Sequence, residues 1–441
     1  MARVSFYTLG CKLNYAETGA LQESFVARNF EAVAFGEPAD VTVVNTCTVT
    51  DEADRKCRQV IRRALRANPH TFVIVTGCYA QLQPEEIAAI PGVDAVLGAR
   101  EKFNLFGLIR SFEKGEASQV HVSCIDEADT FGPAYHAGER ARAFLKVQDG
   151  CDYTCAFCTI PLARGRSRSQ SIHETVRQAQ DIAGRGFREI VLSGVNIGLF
   201  GEDSGESLLD LVAALDAVDG VERYRISSIE PNLLTDALID FVAGSRAFQP
   251  HFHLPLQSGD DAVLGAMRRR YRSAVYTARV ERILSVLPHA AIGADVIVGF
   301  PAEDDRSFET THAYLADLPL AYLHAFTYSE RPNTAAVGRL LPDGKTPVPP
   351  EVRSRRNRRL RVLSEQKRLA FYRTHLGQTR PVHWEHAHDS GLMHGYTDNY
   401  IRVEAPYEAA KGGRTELVFL AEISAAGDVV AGEAGYIGIH G

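Results

Sequence analysis

The sequence predicts an α/β protein in three parts. These are an amino-terminal parallel-sheet α/β domain (1–112), a central partial (βα)6 barrel (137–368) and a small carboxy-terminal β-barrel (371–436). Three observations lead there. Apolar strand-like runs alternate with helical segments through the first hundred residues, which implies a parallel sheet covered on both faces. The alternation resumes on a larger scale from Ala143, with six apolar runs: FLKVQ, EIVLSG, YRISSIE, HFHLPL, IGADVIVGF and AYLHAFTYS. Six units suit an open or partial barrel rather than the closed eight-unit one. After Arg368 the pattern changes to short strand-like pieces with Gly, such as VHWEHAH and TELVFLAEISAA, as in a small β-barrel.

In the first part, Val4–Leu9, Val41–Asn45 and Phe72–Thr76 read as strands. Glu17–Asn29, a basic stretch from about Asp54 to Ala67 and a segment opening at Pro84 read as helices. Cys11, Cys47 and Cys78 each fall one or two residues past a strand, so three distant thiols should converge on one sheet edge. A polar connector spans about 112–138. Barrel residues that act on a ligand should sit where each strand ends, on one mouth.

Composition bounds the function. The 441 residues are 45% hydrophobic and 23% charged, an ordinary globular balance that excludes a disordered chain, a collagen-like repeat and a coiled-coil rod. No apolar stretch reaches the ~18 residues of a membrane span, and the start carries no signal-like region, so no membrane partner and a cytoplasmic location are expected. The net charge of −7 provides no global field for nucleic acid. Two basic runs stand against it. Arg55, Lys56, Arg58, Arg62, Arg63 and Arg66 follow Cys47. Arg353, Arg355, Arg356, Arg358, Arg359 and Arg361 lead into the last domain. Such runs position phosphates, or are merely solvated faces.

The eight cysteines carry the chemistry. In a long cytosolic chain clustered thiols point to a metal or to catalysis rather than to disulfides. Cys151, Cys155 and Cys158 form CxxxCxxC directly after the first barrel strand. Three thiolates so spaced suit a [4Fe–4S] cluster with one iron left open. Structural zinc wants a fourth ligand, and the nearest histidines, His136 and His173, lie fifteen residues away on each side. Cys57 and Cys124 belong to neither triad and read as surface thiols. His383, His386, His388 and His394 raise a metal alternative, but strand alternation would point them to mixed faces.

The triad at the opening of a partial barrel resembles the radical S-adenosylmethionine superfamily. Around it stand LGCKLN (Leu9–Asn14), VNTCTVT (Val44–Thr50), GCYAQ (Gly77–Gln81), VQDGCDYTCAFCTIPLARGRSRS (Val147–Ser169), LSGVNIG (Leu192–Gly198), SSIEP (Ser227–Pro231), HLPLQSG (His253–Gly259) and ADVIVGFP (Ala294–Pro301). In order and spacing these words resemble the methylthiotransferase family over the first 370 residues, and the last domain resembles its TRAM module. The likeness implies S-adenosylmethionine on the open iron, cleaved by the reduced cluster to a 5′-deoxyadenosyl radical. It implies a second [4Fe–4S] cluster on Cys11, Cys47 and Cys78 that handles sulfur. It also implies cofactor contacts, for which Ser193, Gly194, Asn196, Ser227, Glu230, Gln257, Ser258, Gly299 and Phe300 are the candidates by position at strand ends. Asp295, inside its strand, reads as a structural hydrogen-bond partner.

The resemblance implies a tRNA methylthiotransferase acting at C2 of adenosine 37. LGCK-x-N with ETGAL, SSIEP and ARGRSRS most resemble the branch whose substrate is N6-threonylcarbamoyladenosine. The partners implied are tRNA, an electron donor and a sulfur donor. Arg164, Arg166, Arg168, Arg355, Arg356, Arg358 and Arg359 are the candidate RNA contacts. The last domain tempers this, since residues 371–441 hold five Lys/Arg against nine Asp/Glu. The alternatives are methylthiolation of N6-isopentenyladenosine or of a ribosomal-protein aspartate, and, in another class, an RNA-binding iron–sulfur electron carrier. A carrier needs shielded clusters, not a barrel mouth set with polar words.

Overall fold

The computed structural model describes residues 1–47, 51–128, 131–136, 141–341 and 347–432. Thr48–Thr50 of the VNTCTVT word and the expected boundary residues 137 and 436 therefore lie outside the described residues. Strands β1 (Arg3–Thr8), β2 (Glu31–Val33), β3 (Val41–Thr46), β4 (Phe72–Gly77), β5 (Ala95–Leu97) and β6 (Gln119–His121) form one parallel sheet in the order β2-β1-β3-β4-β5-β6. Every residue of β3 and β4 is buried, because helices cover both faces. Alternate residues feed two cores. Val44, Val73, Val75 and Val96 face one side, and Val43, Phe72, Ile74 and Leu97 the other. The sheet runs past residue 112, since β6 pairs with β5 from within the polar connector. A three-residue edge strand carries no apolar run to announce it.

The central part holds β7 (Tyr135–His136), antiparallel to β8 (Arg142–Lys146), and a short antiparallel pair, β9 (Gln148–Asp149) with β10 (Arg168–Ser169). β11 (Glu189–Ser193) and β12 (Arg223–Ile226) continue from β8. β13 (His251–His253), β14 (Ala291–Val298) and β15 (Tyr322–Thr327) form a second parallel ladder. Between the two ladders, Ile229 N–H donates to His253 O at 3.1 Å, carrying the curve across the gap. The six apolar runs are thus six parallel strands of an open barrel. Side chains of Ser171, Ser207, Thr235, Asp260 and Asp304 cap five of its helices, one hydroxyl or carboxylate each.

The helix Pro350–Arg373 packs on β15 and sends Leu360 and Leu363 into the central core. It leads to β16 (Thr379–Asp389), β17 (Leu392–Thr397), β18 (Arg402–Pro406), β19 (Thr415–Ile423) and β20 (Val429–Gly432). These close into a five-stranded barrel around Trp384, Val382, Met393 and Leu420. It docks on the residues that begin the central strands. Arg223 and Arg225 donate to the carbonyls of Thr397 (both 2.7 Å), Tyr396 (3.1 Å) and Asp398 (2.9 Å), and Asn399 Nδ2 donates to His289 O at 2.9 Å.

A buried ion network joins the first two parts. Glu17, on helix α1 (Lys12–Val26), meets Lys102 at 2.6 Å, Arg164 at 2.9 Å and Lys146 at 3.1 Å. Asp149 accepts from Lys146 at 2.7 Å and Arg164 at 2.9 Å. Burial alone would raise the Glu17 carboxyl, but Arg164, Lys102 and Lys146 hold it far below the usual carboxylate range. A carboxylate so depressed adds stability above its unfolded pKa and loses it as pH falls through the folded value. Glu17→Gln leaves cations unpaired in the interior and should destabilise the chain by about 3–5 kcal/mol in urea titrations at neutral pH. The native chain should lose stability progressively below roughly pH 5, and the variant's acid limb should be flatter.

Candidate active site

Adjacent strands β1, β3 and β4 end side by side, and Cys11, Cys47 and Cys78 follow those ends. Glycine allows the approach. Gly10 has φ +103°, and a Cβ there would stand 2.6 Å from Cys47 Cβ; Gly77 has φ +100°, and a Cβ would meet Thr46 O at 2.3 Å. Asn14 ties the loops together, donating to Leu9 O at 2.8 Å and Thr46 O at 3.1 Å. Cys11 is exposed, Cys47 half-buried and Cys78 buried, and all three line one cavity. Burial raises the Cys78 thiol, with Arg164 opposing.

The second triad lies in the loop after β9. Tyr153 N–H donates to Cys151 Sγ and Ile160 N–H to Cys158 Sγ, each at 3.4 Å. Ala156 pins the loop, its N–H to Met267 O at 2.9 Å and its carbonyl to Ala336 N–H at 2.8 Å. Burial pushes the Cys158 thiol up to about 12 and raises Cys151 and Cys155. Arg269 offsets this at Cys155, with Nη1 at 3.2 Å from the sulfur and Nη2 on the Glu230 carboxylate. Three thiols in one eight-residue loop, with amide and guanidinium donors aimed at them, suit a charged metal–thiolate centre.

Of the candidate cofactor residues, the structure gathers some and removes others. Ser193, Gly194 and Ser227 line the cavity, and Asn196 Nδ2 lies 3.9 Å from Cys151 Sγ. The buried Asn196 Oδ1, Ser227 Oγ and Gln257 Oε1 have no hydrogen-bond partner among the described residues, as expected of groups awaiting a polar ligand. Ser258 is different: it is fully buried with its hydroxyl on Thr311 at 3.1 Å. Gly299 lies under Arg353 and gives its N–H to Glu303 at 2.7 Å. Phe300 is fully buried in the cluster of Ala156 and Met267, propping the cysteine loop from below. These three support the site without facing it: Ser258 is packed on Thr311 as the chain after β13 enters its helix, and Gly299 and Phe300 turn away as the chain leaves β14.

The arginines divide likewise. Arg164 and Arg168, candidates for RNA by sequence, are both buried against Asp149, and Arg164 Nη2 also donates to Asn14 Oδ1 at 2.6 Å. Arg356 is buried on Glu303 at 2.6 Å, and Arg359 is engaged by Glu309. Of that group, Arg166, Arg355, Arg358 and Arg359 are exposed, and among the described residues only the last is ion-paired, to Glu309. Cys57 is a correction too: α2 (Asp51–Ala67) turns it inward with Val60 and Ile61, fully buried. The carboxy-terminal histidines do not converge, since His383 bonds Thr415 and Ala141 O while His388 stacks on Tyr407. Asn14, Glu17 and Asp149 stand inside the quoted words without being singled out as site residues, and Arg269 stands outside them. The first two stand at buried helical positions with Leu13, Leu21 and Phe25, and polar residues on such a stripe are the available signal.

A cavity of about 710 Å³ runs from Cys11, Cys47 and Cys78 through the barrel to Arg142, Arg225 and Tyr400. That is room for a nucleoside-sized group. Two family models match: one described as "Uncharacterized protein family UPF0004" over residues 3–98, and the Radical SAM superfamily over residues 145–315. The threonylcarbamoyladenosine tRNA methylthiotransferase MtaB of Bacillus subtilis is 40% identical over 91% of this chain and 90% of its own. That of Aquifex aeolicus is 38% identical over 85% and 91%.

The chain belongs to the MtaB methylthiotransferase family.

A tRNA-2-methylthio-N(6)-dimethylallyladenosine synthase of Cereibacter sphaeroides is 32% identical over 97% of both chains. The radical S-adenosylmethionine methyltransferase TsrM of Kitasatospora setae shares the fold, with a TM-score of 0.55 at 12% identity over 74% of this chain and 73% of that one. Membership implies an enzyme that uses S-adenosylmethionine and a [4Fe–4S] cluster. No described helix is long and apolar enough to cross a membrane.

Exposure orders the thiols. In cluster-free protein under anaerobic conditions, a disulfide reagent should modify the exposed Cys11 and Cys124 first, and Cys57 only on unfolding. Peptide mapping of the labelled sites checks this.

Proposed function

We propose that this protein methylthiolates C2 of N6-threonylcarbamoyladenosine 37 in tRNA, with one [4Fe–4S] cluster on Cys151, Cys155 and Cys158 and a second on Cys11, Cys47 and Cys78. The observation that carries it is the shared neighbourhood: Arg164, six residues past Cys158, bonds Asn14, which holds the Cys11 and Cys47 loops, and lines the same cavity as Cys11, Cys47 and Cys78. With both groups bound, the first cluster and S-adenosylmethionine would supply a 5′-deoxyadenosyl radical, and the second would supply the sulfur.

The chain's own part is positioning and shielding. Arg269 balances thiolate charge at Cys155 while Glu230 fixes its guanidinium. Asn196, Ser227 and Gln257 present free polar atoms for the cofactor, with Ser193 and Gly194 beside them. The barrel wall keeps water from a reactive radical. The five-stranded barrel acts as a TRAM-like module that, with the exposed arginines of helix Pro350–Arg373, holds tRNA in the cytoplasm. Electron and sulfur donors complete the reaction.

Anaerobic reconstitution should give about eight irons per chain, two cubes of four. Alanine at Cys151, Cys155 and Cys158 should abolish 5′-deoxyadenosine formation. Alanine at Cys11, Cys47 and Cys78 should retain about four irons and some cofactor cleavage but yield no methylthiolated tRNA. Mass spectrometry of tRNA nucleosides from cells lacking the protein should show loss of the methylthio form of threonylcarbamoyladenosine; loss from the isopentenyl nucleoside would assign the other branch. Glutamate at Arg355, Arg358 and Arg361 should weaken tRNA binding and reduce the log–log salt slope by about 0.9 for each phosphate no longer neutralised.

A further inference from the structure

The far end of the cavity is cationic. Lys12, one residue past Cys11, lines it and makes no ion pair or hydrogen bond among the described residues. Arg142 and Arg225 line the same space. Together with Arg223 they share the carboxylates of Glu189 and Glu385, three guanidiniums to two acids. Arg142 Nε is buried without a hydrogen-bond partner among the described residues. Tyr400 closes this end, stacked on His251 at 4.0 Å with the Arg225 guanidinium 5.0 Å from its ring. Burial would raise the Tyr400 phenol, yet Arg142, Lys12 and Arg225 pull it below its ordinary value. Asp295, an acid that lines the cavity, is already occupied by His253 at 2.9 Å and His324 at 3.2 Å.

An excess of positive charge along a cavity wall, with an unpaired ammonium among it, is unfavourable until an anion arrives. We propose that Lys12, backed by Arg142, Arg225 and Tyr400, forms a carboxylate-binding site that receives the threonyl carboxylate of the modified base and so selects this substrate. The proposal rests on the functional assignment above. It places the recognition group one residue from a cysteine of the sulfur-handling triad, so that binding the carboxylate also sets the depth of the base. An apolar dimethylallyl group would leave the same cations unanswered, so the site rejects that base as well as accepting the charged one. The arginines beside the second cysteine triad, Arg164 and Arg168, are committed to Asp149 and take no part.

The test uses reconstituted holoenzyme and two anticodon stem-loop RNAs, both with threonylcarbamoyladenosine at position 37, one as the free acid and one as its methyl ester. Binding is read by fluorescence anisotropy, and the quantity compared is the ester-to-acid ratio of Kd within one preparation, which cancels losses of folded or loaded protein. The native enzyme should bind the acid at least about tenfold more tightly. Lys12→Met and Lys12→Gln should each bring the ratio near one, and Lys12→Arg should restore most of it. An equal loss for acid and ester in Lys12→Met would make Lys12 a backbone-phosphate or cofactor contact and overturn the proposal, as would a native ratio near one. If the native enzyme methylthiolates the threonylcarbamoyl RNA while the Lys12 variants keep the native ratio, only this inference fails. If it methylthiolates a dimethylallyl RNA instead, the functional assignment fails first.

Discussion

The buried guanidinium of Arg164 is the contact on which the site depends. It reaches from the helix that follows Cys158 to Glu17 and Asn14 on α1 and to Asp149 before Cys151, each within 2.9 Å. Four cations, Lys102, Lys146, Arg164 and Arg168, surround two carboxylates there, and none is free to leave without stranding charge in the interior. Such a network gives little net stability compared with a well-packed apolar interface. Its value is geometric, because directed charge-assisted bonds fix two domains in one register where apolar packing would tolerate sliding.

That register makes the cavity. Parallel strands deliver Cys11, Cys47 and Cys78 to one sheet edge, and the partial barrel delivers Cys151, Cys155 and Cys158 to its mouth. Neither arrangement alone encloses a reaction space. Joined through α1, the two parts enclose one cavity, lined by Cys11, Cys47 and Cys78 and by the cations Arg142 and Arg225, with the loop of the other triad next to it. The five-stranded barrel completes it from the opposite side, since Tyr400 enters the space while Arg223 and Arg225 hold its turn by three carbonyls.

The basic runs show why charge in a sequence is a poor guide to a surface. Arg353 and Arg356 sit three apart on one helix face and turn inward to Glu330 and Glu303, while Arg355 and Arg358, a fraction of a turn away, stay in solvent. Composition cannot distinguish them, because the acids that claim the inward pair lie 23 and 53 residues away in the chain. Cys57 teaches the same lesson in reverse: its basic neighbours suggest a surface thiol, and helical phase buries it.

Local order was legible from the sequence by itself: the alternation of strand and helix, the cysteines just past three strand ends and the close spacing of the other cysteine triad. These are properties of a few consecutive residues, fixed by backbone sterics, period-two burial and ligand spacing. The tertiary structure alone decided which polar residues reach the cavity. Ser258, Gly299 and Phe300 follow barrel strands as Ser193 and Ser227 do, yet Ser258 is claimed by Thr311 and the turn after β14 carries the other two away. Lys12 and Arg142, 130 residues apart in the chain, meet in one cavity because three domains close around it. Desolvation and pairing depend on what surrounds a side chain in space, and sequence adjacency carries no record of that.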